Sequence, residues 1–250
     1  MQKAGEFNKL KRSNVPLDKG SHRKLMQDVI FCEDKTNRRN SLVMHSEQNS
    51  RQLQWYSLRM KSLKVMEVPC KSQNDRVLSI AHQDISESIY AFGPEGTDAV
   101  YGVLCTDHIL YIYIRIKKDI QLFTQIDTGS VAQDKVWYMA QHKEWLTAGK
   151  DFKIRKWNIS PIVPNKLKDN EPQQLHSDKI TDCVEITSPL SVATCSLDHS
   201  IVLYDLKKKE VLRRLSQRHV TGVRHLRYLK DFGGILISTG FEIFANVWVP

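Results

Sequence analysis

One short pattern occurs three times in the second half of the chain, and it limits the fold more than any other feature. An apolar run is followed by a turn that contains an acidic residue, and then by alternating residues that end in an aromatic ring. The copies span residues 146–157, 192–204 and 236–248. Such runs are typical of two antiparallel strands joined by a tight turn. Their regular return predicts an all-β protein built from sheets of one kind.

The spacing inside and between the copies is regular. In each copy the aromatic residue follows the turn residue by six positions. The pairs are Asp151 with Trp157, Asp198 with Tyr204, Glu242 with Trp248 and, in two weaker copies, Asp107 with Tyr113 and Asn49 with Trp55. The five aromatic positions are 58, 44, 47 and 44 residues apart. Blades of four strands repeat every ~40–45 residues, so we predict about five repeats, with the last one incomplete.

These residues resemble the WD-repeat β-propeller family, strongly over residues 135–250 and weakly over 25–130. The resemblance implies a propeller of four-stranded antiparallel blades. In that family each blade is held by a His, a Ser or Thr, a turn Asp and a Trp. The matching sets here are His176, Thr194, Asp198 and Tyr204; His219, Ser238, Glu242 and Trp248; and Thr147, Asp151 and Trp157 without a matching His.

The recurring polar residues have two interpretations. A buried Trp or Tyr ring needs a partner for its polar end, a turn Asp bonds nearby backbone amides, and a buried His must also be satisfied. A catalytic acid–base pair is the alternative for His176 with Asp198 and for His219 with Glu242. Because these residues return with the repeat, we favour the structural interpretation.

The charge distribution divides the chain into two predicted regions. Residues 1–24 are polar and strongly basic, and we expect a disordered arm there, followed by the propeller over 25–250. The net charge is +9, which favours acidic partners. Nucleic acid or chromatin bound by the arm is therefore an alternative function, although not the favoured one. With a strand candidate at residues 88–92, the second repeat has one strand more than a blade needs. This candidate either extends the first strand of the repeat or belongs to an insertion.

Several classes of site have no sequence signal. The five cysteines form no Cys-x-x-Cys pair, and phosphate loops, nucleophile elbows and calcium loops are missing. We therefore predict a protein that is not an enzyme and uses no cofactor or metal. No secretory signal occurs, and the apolar stretch at 103–116 is too short to span a bilayer. These features predict a cytoplasmic protein without a membrane span.

The predicted function is protein–protein interaction through the turn face of the blades. Lys150, Lys179, Leu197 and Phe241 should lie on that face, where apolar and basic side chains together suit a protein partner. The degenerate repeats and the ending at residues 241–248 resemble divergent multi-propeller proteins of cytoskeletal or ciliary assemblies. Because no fourth strand follows Trp248, we expect a fragment, an incomplete gene product or a propeller completed by another chain.

Overall fold

The computed structural model describes a series of antiparallel strands with one short 3-10 helix, Lys230–Phe232, between two of them. The described residues are 26–32, 42–47, 49–57, 62–84, 94, 96–117, 119–157, 173–187 and 190–250. The predicted basic arm at 1–24 and the strand candidate at 88–92 lie outside them. No helix in the described part of the chain is long and apolar enough to cross a membrane.

The strands form five sheets in chain order. The first contains β1 (Met26–Cys32), β2 (Leu42–Glu47), β3 (Gln52–Ser57) and β4 (Ser62–Glu67). The second contains β5 (Val77–Asp84), β6 (Thr97–Cys105), β7 (Ile109–Ile116) and β8 (Asp119–Asp127). The third contains β9 (Gln133–Met139), β10 (Glu144–Gly149), β11 (Lys153–Trp157) and β12 (Gln173–Gln174).

The last two sheets continue this arrangement. The fourth contains β13 (Ile180–Thr187), β14 (Leu190–Ser196), β15 (Ile201–Asp205) and β16 (Glu210–Leu215). The fifth contains β17 (His225–Leu229), β18 (Ile235–Thr239) and β19 (Ala245–Trp248). In each sheet, strands that are consecutive in the chain pair with each other in antiparallel fashion. The all-β expectation is confirmed as five antiparallel sheets of three or four strands, as blades require.

The core lies between the sheets, because both faces of the inner sheets are apolar. The first strands of successive sheets are neighbours: β1 packs near β5, β5 near β9, β9 near β13 and β13 near β17. Each pair of successive sheets encloses its own group of buried residues. Trp145 and Ile112, for example, belong to the group between the second and third sheets. Burial of these side chains stabilises each interface by ~25 cal/mol per Å² of apolar surface.

The register explains the six-residue spacing of the sequence pattern. In the second to fifth sheets, the aromatic residue lies six positions after the turn acid, and it pairs with the residue six positions before that acid. Tyr101 pairs with Tyr113, Trp145 with Trp157, Val192 with Tyr204 and Leu236 with Trp248. The turn acid therefore lies at the centre of its hairpin. In the first sheet Met44 pairs with Trp55, which places the centre between Asn49 and Ser50.

The third sheet differs from the expectation at its outer edge. The prolines at 161, 164 and 172 predict a long loop after the third strand of this repeat and no fourth strand. The structure pairs Lys153 with Gln174 and Ile154 with Gln173, which makes β12 a two-residue fourth strand. A strand this short has no periodicity to detect, so the composition of the loop concealed it.

Candidate functional site: the turn end of the sheets

The fifth sheet brings all four residues of its predicted set together. His219 Nδ1 lies 3.2 Å from a carboxylate oxygen of Glu242, and His219 Nε2 lies 2.7 Å from the hydroxyl of Ser238. The indole N–H of Trp248 donates to the same hydroxyl at 2.8 Å. Glu242 also accepts the backbone N–H of Thr221 at 2.7 Å. The set thus ties the segment before the first strand to both strands of the hairpin.

The fourth sheet forms the same set without its aromatic member. His176 lies 3.0 Å from a carboxylate oxygen of Asp198 and 2.9 Å from the hydroxyl of Thr194. The hydroxyl of Ser200 donates to Asp198 at 2.7 Å. Tyr204 is buried at 3% exposure, yet its hydroxyl has no hydrogen-bond partner among the described residues. In the structure the phenol of Tyr204 therefore makes no hydrogen bond to Thr194, unlike the tryptophan indoles of the third and fifth sheets with their strand hydroxyls.

Both turn carboxylates are held in the ionised form. Burial alone would raise the pKa of Asp198, but hydrogen bonds from His176, the Ser177 backbone N–H and Ser200 outweigh burial and hold this pKa well below its usual range. The backbone N–H of Thr221 is the main cause of the lowered pKa of Glu242, which falls to about 2 against the opposing effect of burial. These carboxylates act as acceptors that fix the chain around them.

The third sheet uses a glutamine where the fourth and fifth sheets use a histidine. The indole N–H of Trp157 donates to Thr147 at 2.9 Å, and the Thr147 hydroxyl donates to the side-chain oxygen of Gln133 at 2.8 Å. Gln133 lies 14 residues before Thr147, whereas His176 lies 18 residues before its Thr. A search at the histidine spacing therefore misses Gln133, which begins strand β9.

Where the histidine is absent, a residue four positions after the turn acid supplies its partner. Arg155 forms two hydrogen bonds with Asp151, at 3.1 and 2.7 Å. Tyr111 donates to Asp107 at 2.6 Å in the second sheet. The fourth and fifth sheets have Val202 and Asn246 at this position. A long polar side chain four residues after the acid is thus the sequence signal that marks the substitution, and the sequence reasoning did not use it.

The turns between second and third strands lie beside the segments that lead into the first strands. In three sheets, the backbone N–H of the residue before the turn acid donates to a backbone carbonyl of the segment that leads into the first strand. Thr106 donates to Arg76, Lys150 to Ala132 and Leu197 to Lys179, each at 3.0 Å. In these three sheets the two kinds of loop therefore lie side by side at one end of the strands, and we call this end of the sheets the turn face.

The four residues expected on this face belong to the third, fourth and fifth sheets. Lys150 is exposed, and Lys179 is 3.4 Å from Asp134 with 47% of its side chain exposed. Leu197 is half-buried and packs against Gly222. A Cβ added to Gly222 would lie 2.7 Å from Cδ2 of Leu197. Phe241 is 62% exposed, with the Arg224 guanidinium 4.9 Å from its ring centroid. Phe241 and Arg224 thus form an exposed apolar and basic pair on this face.

Two carboxylates join the first strands of neighbouring sheets around a cavity of about 680 Å³. Asp182 accepts the indole N–H of Trp137 at 3.2 Å and the backbone N–H of Leu226 at 2.9 Å. Glu185 accepts the backbone N–H of Gln141 at 3.0 Å and contacts His142 Nδ1 at 2.8 Å. Because these acids bridge three sheets, they fix the order of the sheets around the cavity.

Comparison with known proteins supports the architecture. No protein-family model and no curated protein matches the chain. Among solved structures 1282 chains match, so the architecture is widespread and does not by itself select a function. One of them is the crystal structure of Raptor from Chaetomium thermophilum. The match has a TM-score of 0.67 at 12% identity and covers 91% of this chain but only 20% of the Raptor chain.

Proposed function

We propose that this chain is part of a WD-repeat β-propeller and acts as a non-catalytic scaffold that binds protein partners through its turn face. The observation that carries the proposal is the use of the recurring polar residues. His176, Asp198, His219 and Glu242 make hydrogen bonds that join loops to hairpins within their own sheets. The structural interpretation accounts for each of them. Because these residues join loops to hairpins within the sheets, the side chains of the adjacent loops remain available to bind a protein partner.

The turn face offers the chemistry of a protein interface. Phe241 presents a large ring to solvent, and Arg224 lies over that ring. Aromatic residues and arginine are enriched at the energetic centres of interfaces. Lys150 and Lys179 add positive charge in the neighbouring sheets. The partner surface that fits this combination is acidic and has an apolar groove or side chain for the phenylalanine.

The wider setting remains a prediction from the sequence. A cytoplasmic location and a cytoskeletal or ciliary assembly rest on the resemblance of the repeats and of residues 241–248 to divergent multi-propeller proteins. A second chain that completes the propeller would pair with β19, because the described part of the fifth sheet has three strands whereas the other four sheets have four. The structural observations above do not depend on either expectation.

A matched pair of variants tests the proposal. Phe241 and Phe232 are both exposed, at 62% and 73%, but Phe232 lies in the 3-10 helix between β17 and β18, at the opposite end of the fifth sheet. We expect Phe241→Ala to lose bound protein in affinity capture from cells, while Phe232→Ala retains it. Lys179→Glu should act like Phe241→Ala, and Lys208→Glu in the turn between β15 and β16 should not. Equal recovery with all four variants would contradict a turn-face scaffold.

Deletion of the basic arm tests the alternative function, nucleic-acid binding, separately from the scaffold proposal. If nucleic acid is the ligand, deletion of residues 1–24 should abolish binding of a labelled DNA or RNA duplex, and rising salt should weaken that binding steeply. The scaffold proposal expects arm-deleted protein to recover the same proteins as the intact chain. Recovery of nucleic acid alone, lost with the arm, would replace the scaffold proposal by the alternative.

A further inference from the structure

Two thiols meet where the first and second sheets join. Cys70 lies in the segment between β4 and β5, and Cys105 is the last residue of β6. Cys70 packs against the group of core residues that contains Cys105, and the two thiols are close enough for each to shift the pKa of the other. Cys105 is 1% exposed, whereas Cys70 is only partly buried. Cys70 is therefore accessible to small reagents, whereas Cys105 is shielded from them.

The backbone on both sides of Cys70 is fixed to the hairpin that follows Cys105. The Tyr111 hydroxyl donates to the Pro69 carbonyl at 3.1 Å. On the other side, the backbone N–H of Lys71 donates to the Asp107 carboxylate at 3.1 Å. The same Tyr111 O–H is shared with the Asp107 carboxylate, which is closer at 2.6 Å, so both contacts belong to one network. This network holds Cys70 beside the end of β6 at Cys105, because the backbone cannot move away at either neighbour without losing a hydrogen bond.

The pKa values of the two thiols are shifted in opposite directions. The hydrogen bond from Cys105 is the main reason why the pKa of Cys70 is lowered, and Arg51 acts in the same direction, while burial and the carboxylates of Asp107 and Asp75 oppose it. The same hydrogen bond, together with burial, raises the pKa of Cys105. The thiolate is the nucleophilic form of cysteine, so the more accessible sulfur is also the more reactive one.

We propose that Cys70 and Cys105 form a dithiol site that a hydroperoxide oxidises to an intramolecular disulfide. The Cys70 thiolate attacks the peroxide oxygen, the O–O bond breaks, and Cys70 becomes a sulfenic acid as the peroxide leaves as water or an alcohol. The Cys105 sulfur then attacks the Cys70 sulfur, and the sulfenic oxygen leaves as water with the Cys105 proton. Two thiols and one hydroperoxide thus give one disulfide and, for hydrogen peroxide, two waters.

The disulfide would join the connection between the first and second sheets to the turn end of the second sheet. It closes the chain between Cys70 and Cys105, which contains β5 and β6. Because a cross-link restricts mainly the unfolded chain, oxidation should raise the midpoint of unfolding. Reduction by a dithiol reverses the step.

The chain contains a matched control pair. Cys183 in β13 and Cys195 in β14 are also buried. They belong to different groups of core residues, between the third and fourth sheets and between the fourth and fifth sheets, respectively. The two thiols therefore lie on opposite faces of one sheet and should not pair. They should also alkylate more slowly than Cys70, because burial raises both pKa values.

Peptide mass spectrometry of the full chain tests the proposal. Reduced protein is treated with a series of hydrogen peroxide concentrations, blocked with N-ethylmaleimide and digested. We expect a cross-linked pair of peptides containing Cys70 and Cys105, lighter than the free pair by two hydrogen atoms and lost after treatment with dithiothreitol. A Cys183–Cys195 peptide should not form. Oxidation of Cys70 to sulfinic acid without any cross-link to Cys105 would overturn the proposal, as would a cross-link between two molecules.

Two variants separate the roles of the thiols. In Cys105→Ala, Cys70 should stop at a sulfenic acid that dimedone traps, and the rise in the unfolding midpoint should disappear. In Cys70→Ser, Cys105 should stay reduced at peroxide concentrations that oxidise it in the unmodified chain. Near-ultraviolet circular dichroism checks that both variants keep the native packing, and Cys105→Val replaces Cys105→Ala if it does not. Oxidation of Cys105 in Cys70→Ser at the original peroxide concentration would contradict the assigned order.

Discussion

The indole N–H of Trp157 donates to the hydroxyl of Thr147, 2.9 Å away on the neighbouring strand. Trp248 and Ser238 repeat this hydrogen bond at 2.8 Å in the fifth sheet. In the fourth sheet, the ring position is occupied by Tyr204, whose hydroxyl has no partner among the described residues. In the third and fifth sheets the strand hydroxyl is therefore the acceptor that satisfies the indole N–H of the tryptophan.

Replacing Thr147 by valine should test this relationship directly. Thr147→Val keeps the shape of the side chain but leaves the buried indole N–H of Trp157 and the oxygen of Gln133 without their partner. We expect a loss of ~1–3 kcal/mol in the free energy of unfolding, the usual cost of an unsatisfied buried polar group. Thr147→Ser, which keeps the hydroxyl, is the control. Equal denaturant midpoints for the two variants would show that the hydrogen bond does not contribute.

The pairing of Arg155 with Asp151 predicts strong coupling between two substitutions. The Arg155 side chain is 7% exposed and that of Asp151 is 26% exposed. Arg155→Met should lower the free energy of unfolding by ~3 kcal/mol or more, because it leaves a partly buried carboxylate unpaired. Asp151→Asn combined with Arg155→Met should cost less than the sum of the single changes. Additive costs in urea unfolding would indicate that the pair is not coupled.

The sequence predicted the hairpins well because their signal is local. The spacing between Asp198 and Tyr204 reflects how far a strand extends from its turn, and the register reproduces it. Partners of the turn acids were harder to predict. Gln133 and Arg155 take over parts of the histidine role from different strands, so a search at the histidine spacing finds neither of them. The short strand β12 also escaped prediction, because its position is set by pairing with β11 and its two residues carry no periodic pattern.

Close contact between sheets predicts an unusual effect at Gly102. A Cβ at this position would overlap the ring of Trp145, which belongs to the third sheet and is fully buried. Replacing glycine by alanine in a strand is ordinarily neutral or stabilising by ~0.4–1 kcal/mol. Here we expect Gly102→Ala to lower the unfolding midpoint, and Gly102→Ala with Trp145→Phe to recover part of the loss. Stabilisation by Gly102→Ala alone would show that the two sheets pack less closely.

The lowered pKa of Glu242 predicts how the fifth sheet responds to acid. An unfolded glutamate has a pKa of ~4.3, and the folded value is about 2. The unfolded chain therefore takes up a proton first as the pH falls, so the stabilisation present above pH ~4.3 is lost progressively towards pH 2. We expect Glu242→Gln to be less stable at neutral pH and to lose less stability across this window. Urea unfolding at several pH values measures both effects, with the exposed Glu210→Gln as control.

The last described strand predicts self-association of the isolated chain. Val247 and Val249 are 63% and 75% exposed, and β19 pairs only with β18 within the described part of the chain. An exposed edge strand without charge readily pairs with another chain, and Ala245–Trp248 contains no charged residue. The outer strand β16 contrasts with it, since Glu210, Arg213 and Arg214 place charge along that edge.

Sedimentation velocity over a range of protein concentrations tests this expectation. We expect the average mass of the unmodified chain to rise with concentration as two β19 edges pair. Val247→Lys should weaken that association tenfold or more, which corresponds to about 1.4 kcal/mol. Val211→Lys introduces the same charge at a valine of β16 that is 48% exposed, and it should associate like the unmodified chain. A monomer at every concentration, or an equal effect of both lysines, would show that the β19 edge is not the site of association.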